Sequence, residues 1–193
     1  MIFSNILRTL LGCLSFWHFN QNPSLKKDSS IRKEILKKLA KTSFKKKNLK
    51  KTHIDFNKNI LDLLKNKDLK NFLRKNFVQK MFFVHNRLFI LNELNELKKS
   101  KKWKIYEDLL IEDHIGNPIR YFLYSKSSGN RINHVYHLSV LEDELKINLK
   151  NKIKTIFEFG GGYGCMARIF SKITKKIKYT CYDTYYVNLL QYY

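Results

Sequence analysis

Apolar positions recur at helical spacing through the first part of the chain and gather into short β-prone runs towards its end. Ile31, Ile35, Leu36 and Leu39 predict a helix with lysines around the rest of its surface, and Ser29 or Ser30 is placed to cap it. Ile60, Leu61 and Leu64 predict a second helix. A longer helical run carries Leu69, Phe72, Leu73, Phe77, Met81 and Phe82, and continues with Leu88, Ile90, Leu91 and Leu94. Gly116-Asn117-Pro118 is a turn signal, Ile119–Tyr124 reads as a short strand or extended segment, and Ser125–Asn130 reads as a loop. Val135, Leu138, Leu141 and Leu145 mark a helix that starts at Asn130 or Asn133 and runs to about Leu149. The apolar run Ile153–Phe159 predicts a strand, Met166, Ala167, Ile169, Phe170 and Ile173 a helix, and Ile177–Tyr182 another strand ended by Asp183. The order predicts an α/β protein: a helical N-terminal region, then a β–α–β unit.

Between the first of those late strands and its helix lie Gly160, Gly161, Gly162 and Gly164, four glycines within five positions. Strand, glycine turn and helix together present backbone N–H groups to a ligand with no side chains in the way. Glu158 stands two residues before the first glycine, at the strand tip where cofactors bind in open α/β sheets. Asp183 lies 23 residues beyond Gly160, the distance at which the acid of a nucleotide-binding unit meets the ribose hydroxyls. A carboxylate there accepts two strong hydrogen bonds from a ribose diol. Two frames fit the glycines. Glu158-x-Gly160-x-Gly162-x-Gly164 resembles the acidic glycine loop of S-adenosylmethionine (SAM) methyltransferases, whereas Gly162-x-Gly164-x-x-Ala167 fits the dinucleotide fingerprint of an NAD-type unit. Glu158 would repel a pyrophosphate and attract the ammonium and sulfonium of SAM, which favours the first frame. A tight strand-to-helix turn without a ligand is the plain alternative.

The stretch Phe157-Glu158-Phe159-Gly160-Gly161-Gly162-Tyr163-Gly164-Cys165-Met166-Ala167-Arg168 resembles the core motif of the sugar O-methyltransferase family. Tyr179-x-x-Tyr182-Asp183, with Leu189-Leu190-Gln191-Tyr192-Tyr193, is similar to that family's next motif, and Gly116-Asn117-Pro118 and Asn133–Leu138 also look family-like. The likeness is dense from about Gly116 to Tyr193 and weak before it; Thr184-Tyr185 departs from the family's apolar residue and proline. The resemblance implies a Rossmann-like domain, SAM as cofactor, and a sugar hydroxyl on a polysaccharide or nucleotide sugar as methyl acceptor. It implies that Gly160, Gly161, Gly162 and Gly164 approach the methionine part, that Glu158 holds the ammonium directly or through water, and that Asp183 holds the ribose. Such a sheet needs several more parallel strands covered on both faces. The chain is therefore expected to be the N-terminal portion of a longer methyltransferase, with the base outside it.

His134 and His137, three apart, share one helix face. Three readings stay open for them: a metal pair lacking a third ligand at matching spacing, a proton acceptor beside the substrate, or packing against the sheet. Cys13, Cys165 and Cys181 are scattered and form no C-x-x-C pair, so neither a disulfide framework nor a zinc knuckle is indicated, and a cytoplasmic location is expected. Residues 2–19 are apolar but interrupted by Arg8, which argues against a spanning helix and for an amphipathic one that packs on the protein or lies at a membrane surface.

Charge separates the chain into regions. Of the net +22, +17 falls between Lys26 and Lys102, with 24 basic and 7 acidic residues. That surface suits an anionic partner such as a membrane or sugar nucleotide. Lysines outnumber arginines 31 to 7, which counts against nucleic-acid readout, since arginine is the usual reader of base edges. The alternative to an enzyme is a basic helical module that binds nucleic acid or membrane. The expected divisions are residues 1–24, an apolar helix and linker; 25–102, the basic helical region; and 103–193, the start of the SAM-binding domain.

Overall fold

A computed structural model describes Leu10 and residues 28–41, 51–65, 69–82 and 88–193. Apart from Leu10, the expected amphipathic segment 2–19 lies outside the described residues, as do the linker 21–27 and the lysine cluster 45–47. No helix among the described residues is long and apolar enough to cross a membrane.

The chain is mixed α/β, mostly helical with two small sheets. Helix α1 (Asp28–Ala40) buries Ile35 and Leu39 against α2 (Lys51–Lys65), which contributes Ile60, Leu63 and Leu64. The long helix expected from Leu69 to Leu94 is divided. Leu69–Arg74 forms a 3-10 segment kinked at Asn71, followed by α3 (Asn76–Phe82) and α4 (Leu88–Lys99). The cause is tertiary. The Leu73 N–H donates to the Gly116 carbonyl at 2.9 Å, and the Asn117 amide donates to Asn71 Oδ1 at 2.8 Å. Gly116 has φ +76°, and a Cβ there would clash with the Phe72 ring. A turn far along the sequence thus captures the 3-10 segment and sets it apart from α3.

Helix α5 (Trp103–Leu110) leads into a short antiparallel pair, β1 (Arg120–Tyr121) and β2 (Tyr124–Ser128). The expected loop Ser125–Asn130 is therefore mostly strand. Ser128 then caps α6 (Gly129–Glu144), its hydroxyl accepting from the Arg131 N–H at 3.2 Å, so the helix starts before Asn130. It ends at Glu144 rather than near Leu149. Lys146 takes a left-handed φ of 50°, and Leu149 opens a separate turn, α7 (Leu149–Lys152), with its N–H on Glu142 Oε1 at 2.9 Å. Helices α4 and α6 pack together, and Ile90, Leu94 and Leu97 of α4 and Val135 and Leu138 of α6 are all buried.

Strand β3 (Thr155–Phe159), helix α8 (Cys165–Ile173) and strand β4 (Lys178–Tyr182) follow, with β3 and β4 parallel and paired from Thr155↔Lys178 to Phe159↔Tyr182. Ile156, Glu158, Tyr179 and Cys181 form the half-buried face, where the Tyr179 and Phe170 rings lie 5.7 Å apart. Helix α9 (Tyr185–Tyr192) buries Val187 and Leu190 and packs on α2. The Tyr185 hydroxyl donates to the Lys38 carbonyl, so the C-terminal helix is bound to the N-terminal helices.

Candidate functional site

Parallel pairing sets Glu158 opposite Cys181, and Asp183 follows two residues later, one step past the end of β4. Both acids reach the glycine loop. Glu158 lies against Gly161, where a Cβ would sit 2.6 Å from Oε2. That same oxygen accepts from the Tyr179 hydroxyl at 2.9 Å and the Cys181 thiol at 3.4 Å. Asp183 holds the loop from the other strand. Its Oδ2 accepts the Gly162 N–H at 3.1 Å, and its Oδ1 accepts the Thr184 N–H at 2.7 Å.

Gly160 has open space on its Cβ side, with nothing within 4 Å. Gly164 stands at the N-cap of α8 with φ 83°, a conformation that costs L-residues about 1–2 kcal/mol. The loop differs from expectation in how it uses its amides. Gly160 N–H donates to Tyr182 O at 2.8 Å, Gly164 N–H to Gly161 O at 2.9 Å, and Gly162 N–H to Asp183, so all three are committed within the protein. Gln191 of α9 donates to the Gly162 carbonyl at 2.8 Å. Neither Gln191 nor Tyr179 was legible as a holder of the site. Tyr179 carried the one usable signal, its place two residues before Cys181 on the same strand face.

The local field is negative. Burial pushes the Cys181 thiol up to about 12, and its hydrogen bond to Glu158 and the charges of Glu158 and Asp183 add to the rise. One thiol thus senses both carboxylates. Burial and the Glu158 hydrogen bond also raise Tyr179 far above the usual phenol range, so both groups remain protonated donors to the carboxylate.

Beneath the loop, the first turn of α6 holds the start of α8. The Asn130 amide donates to the buried Tyr163 hydroxyl at 2.9 Å. Arg131, fully buried, donates from Nε to Leu109 O at 2.6 Å and from Nη1 to Glu112 Oε1 at 3.1 Å. The other Glu112 oxygen accepts the Ser128 hydroxyl at 2.5 Å, while Arg168 of α8 pairs with Asp113. Cys165 is buried here, its thiol pushed up to about 12 mainly by desolvation.

The two histidines have different surroundings. His134 is half-buried with Nδ1 2.7 Å from the Asn130 carbonyl, and burial lowers its pKa. A carbonyl only accepts, so Nδ1 carries the proton and Nε2 keeps its lone pair. His137, one turn on, is exposed beside the Tyr136 ring. Among the described residues no group of three or more His, Cys, Asp and Glu side chains could hold a metal ion.

No family model, curated protein or solved structure matches the chain.

Proposed function

We propose that the Gly160–Gly164 loop binds SAM, that β3–α8–β4 is the opening unit of a Rossmann-like domain, and that the chain serves methyl transfer to a sugar hydroxyl. The observation that carries the SAM reading is the meeting of Glu158 and Asp183 on one glycine loop from the tips of two adjacent parallel strands. The residues fit the cofactor. Both donors to Glu158 go to Oε2, which leaves Oε1 to accept from the ligand ammonium. Each Asp183 oxygen takes one backbone N–H and keeps acceptor capacity for a ribose hydroxyl.

A specific feature weighs against a dinucleotide. Pyrophosphate sites depend on loop N–H groups pointing at the ligand, and here the amides of Gly160, Gly162 and Gly164 are already bonded. A site of committed amides and two carboxylates favours a cation. When bound, SAM supplies a methyl group activated by the adjacent sulfonium. The protein's part is to align donor and acceptor and to accept the hydroxyl proton. His134, held through Nδ1 with Nε2 unprotonated, is one described side chain whose chemistry suits that acceptance. The sugar as acceptor rests on the motif resemblance alone.

Titration calorimetry tests the cofactor. SAM should bind and NAD should not. Asp183→Asn, which keeps the shape and removes the charge, weakens SAM at least tenfold, about 1.4 kcal/mol. Binding of NAD alone, or unchanged SAM affinity in the variant, rejects the assignment.

A further inference from the structure

The bond from the Gly162 N–H to Asp183 Oδ2, at 3.1 Å, joins the glycine loop to the end of β4. Each of its ends is followed in sequence by a residue that meets the N-terminal helical region. Tyr163, after Gly162, is buried with its ring edge-on to Phe72 of the 3-10 segment, the centroids 6.5 Å apart. Thr184, after Asp183, gives its N–H to Asp183 Oδ1 at 2.7 Å. Thr184 is also the N-cap of α9, where a threonine hydroxyl ordinarily accepts from the first turn of its own helix. It makes no such bond here. Its hydroxyl donates instead to Asn57 Oδ1 of α2 at 3.3 Å, across 127 positions of sequence, and Asn57 is buried. Tyr185 likewise donates to α1, at the Lys38 carbonyl. Thr184 and Tyr185 are the pair by which the chain departs from the motif it resembles.

We propose that Asn57 is a positioning residue for Asp183, which makes the N-terminal helices a working part of the site rather than a separate basic module. A hydroxyl spent on its own helix would fix only the start of α9. Spent on a buried amide oxygen of α2, it fixes the Asp183–Thr184 peptide against the helical region, and with it the N–H that holds one carboxylate oxygen. The other carboxylate oxygen is set by Gly162, whose neighbour Tyr163 rests on Phe72 of the same region. The spacing of loop and acid thus has a second determinant besides the β3–β4 ladder. Loss of the contact leaves the buried Asn57 oxygen without its donor, which opposes any drift of the turn. The task given to Asp183, holding the ribose of SAM, rests on the reading above; its placement by Asn57 does not.

The test uses the full chain labelled with ¹⁵N-glycine. In the ligand-free protein Thr184→Val, which keeps the shape and removes the hydroxyl, should shift the Gly162 amide and speed its hydrogen exchange while Gly116 and Gly129 stay in place. The same variant should weaken SAM about fivefold, the scale of one lost hydrogen bond. Thr184→Ser, which keeps the hydroxyl, should restore both. Asn57→Leu should reproduce Thr184→Val, and the two together should do no more than either alone. Ile90→Val, a core substitution in α4, controls for lost stability and should leave Gly162 and SAM affinity unchanged. A Gly162 amide that ignores Thr184→Val, that Thr184→Ser fails to restore, or that Ile90→Val moves equally overturns the proposal. A displaced Gly162 amide with SAM binding absent or unchanged upholds the placement and rejects the ribose role given to Asp183.

Discussion

Gly161 and Gly160 are neighbours in sequence with different reasons for being glycine. At Gly161 a methyl group would lie 2.6 Å from Glu158 Oε2, so Gly161→Ala must displace the carboxylate from Tyr179 and Cys181. Gly160→Ala meets no neighbour within 4 Å and bears only its φ of +75°. Both variants should lose about 1–2 kcal/mol in urea unfolding, the first by crowding and the second by backbone strain. Under the proposed reading SAM affinity separates them, because only Gly161→Ala moves Glu158. His134 gives a pH signature. Burial sets its folded pKa below the ordinary 6.5, so the unfolded chain takes up the proton first. Stability contributed by neutral His134 is complete above pH 6.5 and is lost as pH falls through the folded value. The loss of unfolding free energy between pH 7.5 and pH 5 should shrink in His134→Gln, and an unchanged loss would deny the buried neutral imidazole. At this scale Glu158 and Asp183 were legible because strand alternation and βαβ spacing are local rules. Gln191 was not, since its contact with Gly162 exists only after α9 has docked.

Among elements, α6 holds the loop through Asn130 and Tyr163. Its first turn inserts Arg131 beneath α8 and pairs it with Glu112, which in turn binds the capping Ser128. Arg131→Met leaves Glu112 buried without its cation and should cost roughly 3–5 kcal/mol in chemical denaturation. Adding Glu112→Gln should return part of that loss, and a purely additive double variant would show that the two residues do not act as a pair. Elements were legible where one pattern decided them, as with β3, α8 and β4. They were misread where a distant partner intervened. The run from Leu69 was cut at Arg74 by the Gly116 turn, and Ser125–Ser128 became strand by pairing with β1, which four polar residues could not announce. Ser128 moved the start of α6 because the cap fixes a boundary more sharply than apolar periodicity does.

For the whole molecule, the helices near the N-terminus and the parallel strands near the C-terminus share one apolar cluster, running from Ile35 of α1 to Leu190 of α9. The loop is thereby held from three directions: by α6 through Asn130 and Tyr163, by β4 through Asp183, and by α9 through Gln191. A loop so fixed is preorganised, which lowers the ordering cost of binding. The chain contains seven glycines, four of them in this loop, so selective ¹⁵N-glycine labelling reads the site against its own internal controls. On titration with SAM, the amides of Gly160, Gly161, Gly162 and Gly164 should shift while those of Gly116 and Gly129 stay in place. Loop amides that stay still at saturating SAM, or that respond to NAD and not to SAM, would contradict the account.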